Sequence, residues 1–406
     1  MSKTVLTCRR EDFPILQVND HSPPLIYLDS GATTQKPLEV IQSLDEYYRQ
    51  DNANIHRAVY ALGERSTAKY ETAREVVSEF INSASSDEII FTRGTTESIN
   101  LVASSLSTRV GKGDEILITH LEHHANIVPW QLLCQRVGAS LRVLPIDDQG
   151  NLCLDELDKF VTERTKLFAF SHISNALGTV NDVSMLCEYT HSRGILTLID
   201  GAQAIAHTPV DVQELGCDFY VFSGHKLYGP TGIGILYGRA ELLNELPPYQ
   251  GGGDMIDEVY FEGSTYKPIP SRFEAGTPNI AGAIGLAAAV SYVRRLGLEA
   301  IHRYESELIQ YGVEALREVP DLRIIGTPQQ RASAISFVIE GAHSHDVGTL
   351  LDGYQVAVRV GHHCAQPIMR RFGVSATTRA SIGVYNQRSD FDHLVKSLHR
   401  VLKMLK

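Results

Sequence analysis

Between residues 25 and about 240, short runs of β-branched, aromatic and leucine residues alternate with longer stretches whose apolar residues recur at helical spacing. No other feature constrains the fold as strongly. The runs are LIYL (25–28), EIIFT (88–92), EILIT (115–119), LRVLP (141–145), LFAFS (167–171), ILTLI (195–199), FYVF (219–222) and IGILY (233–237). Segments such as 67–83 and 96–110 lie between them with helical periodicity. Strand and helix repeated this often predict an α/β fold: a large, mainly parallel sheet covered by helices on both faces. Ligands in such sheets gather at the carboxyl ends of the strands, so the residues that follow each run are the first to search for chemistry.

Past residue 247 the pattern changes. A Gly/Pro-rich stretch from 247 to 278 has no periodicity and reads as loops between lobes. Two long helical patterns follow (283–296 and 299–319), then short strands near AISFVIE (334–340), VAVRV (356–360) and RASIGVY (379–385). The chain ends in an amphipathic helix with Phe391, Leu394, Val395, Leu398, Val401, Leu402 and Leu405 on one stripe. This predicts a smaller α+β lobe over 281–406, with residues 1–19 packing near it and 20–280 forming the large lobe. The two lobes are expected to make one catalytic unit.

Charge and cysteine usage narrow the classes. The 406 residues carry 37 Lys and Arg against 48 Asp and Glu, a formal charge of −11 without basic runs. Phosphate neutralisation needs clustered cations, so a nucleic-acid binder is not expected. The six cysteines are scattered, with no C-x-x-C pair, which fits a reducing cytosol. The segment MSKTVLTCRREDFPILQ has no apolar region behind its charges, so no signal peptide is expected. The near-apolar run 280–293 is too short to span a bilayer, so no membrane association is expected.

In FYVFSGHKLYGPTG (219–232) an apolar strand runs directly into Ser223, His225 and Lys226. Alone, this admits two readings: a surface lysine in a turn after an edge strand, or a desolvated amine whose lowered pKa makes it a nucleophile toward carbonyls. The following GPTGIGILYG lacks the order of a Walker phosphate loop. A second segment, ILTLIDGAQ, ends another strand in Asp200, with Gln203 close behind. Pyridoxal phosphate needs a Schiff-base lysine, an acid facing its ring nitrogen and a phosphate cradle. Lys226 and Asp200 are the right types, and Gln203 can bond the phenolic oxygen. The cradle fits FTRGTTESIN, where a strand meets a Gly-Thr-Thr turn and a helix begins, adding Thr95 and Thr96 hydroxyls to free N–H groups. A simple helix cap is the alternative there. The pair His123-His124 in LEHHANIVPW places an imidazole where it can stack on the ring and shuttle protons, or merely sit at a helix start in contact with solvent.

In RVGHHCAQP, Arg359, His362 and His363 surround Cys364 in a loop after a strand, neighbours that favour a thiolate. A buried structural cysteine is the alternative. Zinc held by His343, His345, His362, His363 and Cys364 is disfavoured, because their spacing matches no common zinc pattern and only one thiol is present. No metal is expected.

Seven motifs in order, LDSGATTQKP, RGTTESIN, EHHANIVPW, DGAQA, FSGHKLYGPTGIGIL, RFEAGTPN and RVGHHCAQP, span nearly the whole chain. Together they resemble the class V aminotransferase-like branch of fold-type I pyridoxal-phosphate transferases. Within it they resemble the SufS/CsdA-type (group II) cysteine desulfurases, with SufS the nearer pattern. The resemblance implies conversion of L-cysteine to L-alanine, with the sulfur captured as a persulfide on Cys364; selenocysteine lyase activity in the same site is the alternative. By motif it assigns the cofactor's covalent anchor to Lys226, ring stacking to His123, the pyridine nitrogen to Asp200 and the phenolic oxygen to Gln203. The phosphate falls to Thr95, Thr96, Ser223 and His225, joined by Thr277 from the other subunit of a homodimer. Arg379 matches the position that binds the substrate carboxylate, and Asn175, Arg359 and His56 are further substrate contacts. The short loop around Cys364 implies reliance on a docking SufE-like sulfur acceptor, in a pathway that builds iron–sulfur clusters.

Overall fold

The computed structural model describes residues 6–18 and 24–405. Its centre is a seven-stranded sheet of β1 (Ile89–Thr92), β2 (Glu115–Thr119), β3 (Ser140–Leu144), β4 (Thr165–Ser171), β5 (Leu196–Asp200), β6 (Phe219–Ser223) and β7 (Gly234–Gly238), in the order β1-β7-β6-β5-β4-β2-β3. Strands β2 to β6 pair in parallel, and β7 runs antiparallel to both of its neighbours. The sheet is mostly parallel, as the alternating pattern predicts.

Burial on both faces explains the near-continuous apolar runs. Leu117, Phe168, Phe170, Ile199, Tyr220 and Phe222 pack on one side, while Ile116, Ile118, Ala169, Leu198, Phe219 and Val221 pack on the other. The period of two is hidden in the sequence because neither face is polar. Helices α1 (Ala61–Phe80) and α2 (Thr95–Ser105) join α3 (Ile280–Leu296) around this body. Among the described residues no single helix is long and apolar enough to cross a membrane.

Helix α4 (Leu298–Arg317) and the C-terminal α5 (Arg388–Leu405) cover a second, antiparallel sheet. Its strands β8 (Leu322–Ile325), β9 (Ala334–Ile339), β10 (Arg359–Gly361) and β11 (Thr377–Ser381) lie in the order β8-β9-β11-β10. Phe391, Leu394, Leu398 and Val401 of α5 meet Ile335 and Phe337 of β9 in its core. The segment 8–13 packs into the core of the large body: the Phe13 ring lies against Tyr228, Tyr292 and Tyr385, the last at 4.8 Å, and Arg9 N–H donates to Val384 O.

Three elements depart from the sequence reading. The run at 25–28 contributes only Ile26–Tyr27, and it pairs in parallel with Val356–Ala357 instead of joining the large sheet. The 247–278 stretch contains a hairpin, Ile256–Tyr260 with Gly263–Tyr266. Its residues are mostly exposed on both faces, so no alternation marks it. Strand β8 was also absent from the reading, since LRII mixes a charge into four residues.

Candidate active site

The carboxyl ends of β2, β4, β5 and β6 open on a cavity of about 330 Å³. Gly31, Thr95, Thr96, His123, Asn175, Asp200, Gln203, Ser223, His225 and Lys226 line it from the large body. Arg359, His363, Cys364 and Arg379 close it from the second sheet and its loops. Twelve of the candidate residues therefore meet in one place.

Strand β6 is buried throughout and ends at Ser223, and the tight turn Gly224–Lys226 then delivers Lys226 into the cavity. Its Nζ has no hydrogen-bond partner among the described residues. Burial pushes the amine down to about 8; Arg379 adds to that shift, while Asp200 and Cys364 oppose it. Asp200 ends β5, in register with Ser171 on one side and Val221 on the other. Burial raises the pKa of its carboxyl, and the Ala202 N–H bond to Oδ1, 3.0 Å, works the other way. Beneath it Gly201 has no room for a side chain: a Cβ there would fall 2.1 Å from the Tyr220 ring.

His123 follows β2. Its Nδ1 accepts the Ala125 N–H at 3.0 Å, so a neutral ring carries its proton on Nε2. Burial first, then the charges of Lys226, His124 and Arg379, push this imidazole down to about 3. It is neutral at physiological pH. His225 is likewise held down, to about 4, chiefly by burial. Its carbonyl anchors the 33–36 loop, accepting bonds from Thr33 Oγ1, Thr34 Oγ1 and Lys36 Nζ at 3.0–3.1 Å. Gln203 Nε2 donates to Gly31 O at 2.8 Å.

The start of α2 has the groups that a phosphate would need. Its N-cap residue, Gly94, has no side chain to cap it, and Thr95 N–H and Oγ1 bond Ser223 Oγ instead, at 2.9 and 2.8 Å. The turn sits tightly on β7: a Cβ on Gly234 would lie 2.4 Å from Gly94 Cα. Uncapped N–H groups at a positive helix end beside three hydroxyls suit a phosphate dianion.

On the other wall, Arg379 of β11 is buried. Nη1 donates to Asn175 O at 2.8 Å, Nη2 lies 3.6 Å from Asp29, and Nε has no partner. Burial pulls the guanidinium down to about 10. Arg359 grips Asp29 with Nη2 and Nε at 2.6 and 3.3 Å. Asn175 donates through Nδ2 to His363 O at 2.6 Å, leaving Oδ1 orphaned. Of the six buried side-chain atoms without partners among the described residues, three belong to residues that line this cavity: Asn175 Oδ1, His363 Nδ1 and Arg379 Nε. Such atoms are costly when left unmet, and an acceptor for Arg379 and a donor for Asn175 are what an amino acid's carboxylate and ammonium supply.

Cys364 is the exposed member of six free cysteines. His363 and Cys364 are consecutive residues at φ 52° and 54°, the left-handed region that non-glycine residues rarely enter. Four bonds impose it: His363 Nε2 to Thr377 Oγ1 at 2.8 Å, Asn175 Nδ2 to His363 O, Cys364 N–H to His362 Nδ1 at 3.0 Å, and His124 N–H to Cys364 O at 2.7 Å.

His56 and Thr277 lie elsewhere. His56 bridges Glu71 at 2.8 Å and Asp254 at 3.3 Å. Thr277 lines an outer cleft with Arg57 and Asp254. Sequence reasoning missed Asp29 and Glu122. Glu122 is fully buried beside His123, where it accepts Asn126 Nδ2 at 2.6 Å and Ser171 N–H at 3.1 Å; burial pushes it up to about 8. An acid buried against the strand ends can be sensed only from its place directly after a strand.

Comparison with known proteins agrees with this geometry. The family model for class-V aminotransferases matches residues 26–394. A cysteine desulfurase of Synechococcus elongatus is 52% identical over 97% of this chain, which spans 63% of that protein's length. A cysteine desulfurase of Klebsiella pneumoniae is 52% identical over 98% of both chains. Among solved structures, the cysteine desulfurase CsdA of Escherichia coli superposes with a TM-score of 0.91 at 42% identity, covering 98% of each chain.

Proposed function

The chain belongs to the class-V aminotransferase family, and from that premise we propose that it is a pyridoxal-5′-phosphate-dependent cysteine desulfurase, converting L-cysteine to L-alanine and capturing the sulfur on Cys364. The observation that carries the reading is the meeting of Cys364 and Arg379 with Lys226 and Asp200 around one cavity, although the two pairs are far apart in the chain. The reading divides the chain near residue 280 into a cofactor lobe and a smaller lobe that brings the thiol and the carboxylate-binding arginine over it.

The residues present fit the cofactor. The uncapped helix start with Thr95, Thr96, Ser223 and His225 would take its phosphate, Asp200 its ring nitrogen, Gln203 its phenolic oxygen and His123 its ring face, with Lys226 holding it covalently. When bound, the cofactor supplies an electron sink that weakens bonds at the substrate's α-carbon and, next to it, the Cβ–S bond. Arg379, with its free Nε, binds and orients the substrate carboxylate, assisted by Asn175 and Arg359. Lys226 Nζ, with its pKa pushed down to about 8 by burial, can take a proton at the substrate and return it. His123 Nε2–H is a donor to the substrate's sulfur side. Cys364 Sγ forms the new S–S bond while Cβ–S breaks, the electron pair staying with carbon, which then takes a proton.

The reading extends to a homodimer, in which Thr277 joins the partner's phosphate site and His56 its substrate. Exposed apolar side chains support this: Val59, Tyr60, Val259, Tyr260 and Phe261 all face solvent in the single chain. Six free thiols fit a reducing cytoplasm. Because Cys364 sits on a short, anchored loop and cannot travel far, the sulfur must be collected by a docking acceptor of the SufE type, for iron–sulfur cluster assembly. The test is direct: purified holoenzyme with L-cysteine and a thiol should release alanine and sulfide in equal amounts. A protein that binds the cofactor but releases no alanine overturns the proposal.

A further inference from the structure

Zinc patterns confined to local spacing overlook a residue that the fold brings in from elsewhere. His124 follows β2, more than 200 positions before His362 and Cys364, yet one ring nitrogen of each histidine and Sγ of Cys364 lie within 4.8 Å of one another. The imidazoles of His124 and His362 face each other, with centroids 5.5 Å apart. We propose that His124, His362 and Cys364 form a reversible site for a borderline transition-metal ion, of the Zn²⁺ type, that withholds the Cys364 sulfur from reaction while it is bound.

The donors are in the right chemical state. Cys364 N–H donates to His362 Nδ1 at 3.0 Å and Gln366 N–H to His124 Nε2 at 3.2 Å, so each ring keeps an unprotonated nitrogen turned toward the cysteine loop. An ion would replace those two neutral bonds with coordinate bonds and displace the thiol proton, which leaves to solvent: Zn²⁺ plus Cys–SH gives Zn–S–Cys and H⁺.

The geometry is close but open. Zn–S near 2.3 Å and Zn–N near 2.0 Å in a tetrahedron require donors ~3.5 Å apart, so the three atoms must contract by about 1 Å. His362 and Cys364 are exposed and His124 partly so, and side-chain rotation provides that movement. Three protein donors leave a fourth position to water.

Charge sets the character of the site. One thiolate and two neutral imidazoles leave a dication undercompensated, and Arg359 and Arg379 both stand near Cys364. The ion is therefore exchangeable and not structural. An exchangeable ion on an exposed nucleophilic thiol makes the chain's sulfur chemistry responsive to free metal.

The test uses the holoenzyme with Zn²⁺ or Co²⁺ alone. One Co²⁺ per chain should bind with the intense visible d–d bands of a tetrahedral site, at wavelengths beyond the cofactor's own absorption. Zinc should protect Cys364 from iodoacetamide, with a chelator restoring the reaction. His124→Gln and His362→Gln keep an acceptor for the loop N–H groups but lose the imidazole. Each should raise the zinc concentration needed for half-protection by at least about tenfold, measured against that variant's own alkylation rate in chelator. Cys364→Ser should abolish the cobalt bands. Unchanged half-protection in the double histidine variant, weak octahedral-type cobalt bands, or bands that survive Cys364→Ser would each overturn the proposal.

Discussion

Replacing Gly234 by alanine should damage cofactor binding without touching any group that contacts the cofactor. A Cβ at this position would lie 2.4 Å from Gly94 Cα, 2.9 Å from Gly94 C and 2.8 Å from Phe222 O. All three are backbone atoms, so no side-chain rotation relieves the overlap. Ordinary contact needs at least about 3.4 Å, and either β7 or the Gly94 turn must yield by roughly an ångström. Overpacking of this kind costs about 1–3 kcal/mol. If the turn yields, the N–H groups of α2 and the Thr95–Ser223 bonds leave their positions, and that cost appears as phosphate affinity. At 1.4 kcal/mol per factor of ten, the cofactor dissociation constant should rise roughly 5- to 150-fold. Gly238→Ala is the control: on the same strand its Cβ meets mainly Leu243 Cδ2 at 2.8 Å and Phe219 Cδ1 at 3.1 Å, side-chain atoms far from the cradle. It should lower the melting temperature and leave affinity alone. Spectroscopic titration of both apo-variants with pyridoxal phosphate gives the answer. If Gly234→Ala melts earlier but binds the cofactor within about threefold of the parent, the cradle is not at the start of α2.

Covalent capture of the cofactor by the apoprotein should accelerate about tenfold per pH unit up to about 8 and then level off, because only neutral Lys226 attacks and its amine is held near that value; a flat rate from pH 6 to 9 contradicts the assignment. Arg379→Lys exchanges a planar fork for a point charge, so KM for L-cysteine should rise at least about tenfold while kcat changes less; the reverse split in steady-state kinetics would place Arg379 in the chemistry instead. Cys364→Ser should leave the melting temperature within about 1 °C, since the side chain is exposed, and lower alanine release from L-cysteine at least about 100-fold. The same variant should still release alanine from L-selenocysteine, and equal loss on both substrates would mean that the thiol is not specific to sulfur removal.

What the sequence discloses about this site depends on where each residue stands relative to a strand. Lys226, Asp200, Ser223 and His123 follow apolar runs, and ligands gather at the carboxyl ends of such strands, so the runs nominate them together although Lys226 and His123 each also admit a surface reading. Cys364 and Arg379 lie in a different sheet, and nothing local says that β10 and β11 close over the large one; that information came from the order of motifs. Asp29 and Glu122 were passed over because an acid beside serine, or in the polar stretch that follows β2, looks like a solvated residue until packing shows it buried. The 256–266 hairpin was invisible for the opposite reason: with both faces exposed in the single chain it carries no alternation. His56 and Thr277, chosen by motif, line no part of the cavity within one chain, so their assigned roles rest on a second copy.

The loop that carries Cys364 ties the two parts of the chain into one device. Two consecutive left-handed residues cost about 1–3 kcal/mol each, and a free loop would relax. The bonds that hold it come from both bodies: Thr377 and His362 from the second sheet and its loop, Asn175 and the His124 N–H from the large one. Separating the bodies by even an ångström breaks the latter two and removes the reason for the strained conformation. Arg379 repeats the arrangement in part, since its Nη1 is held by Asn175 O of the large body, while Asp29, beside its Nη2, belongs to a segment bridged to Ser381 of its own sheet. The thiol and the Arg379 guanidinium are therefore in place together or not at all. Under the proposed function, a nucleophile that must meet one sulfur atom, and not the solvent around it, gains from a position conditional on the closed, assembled site.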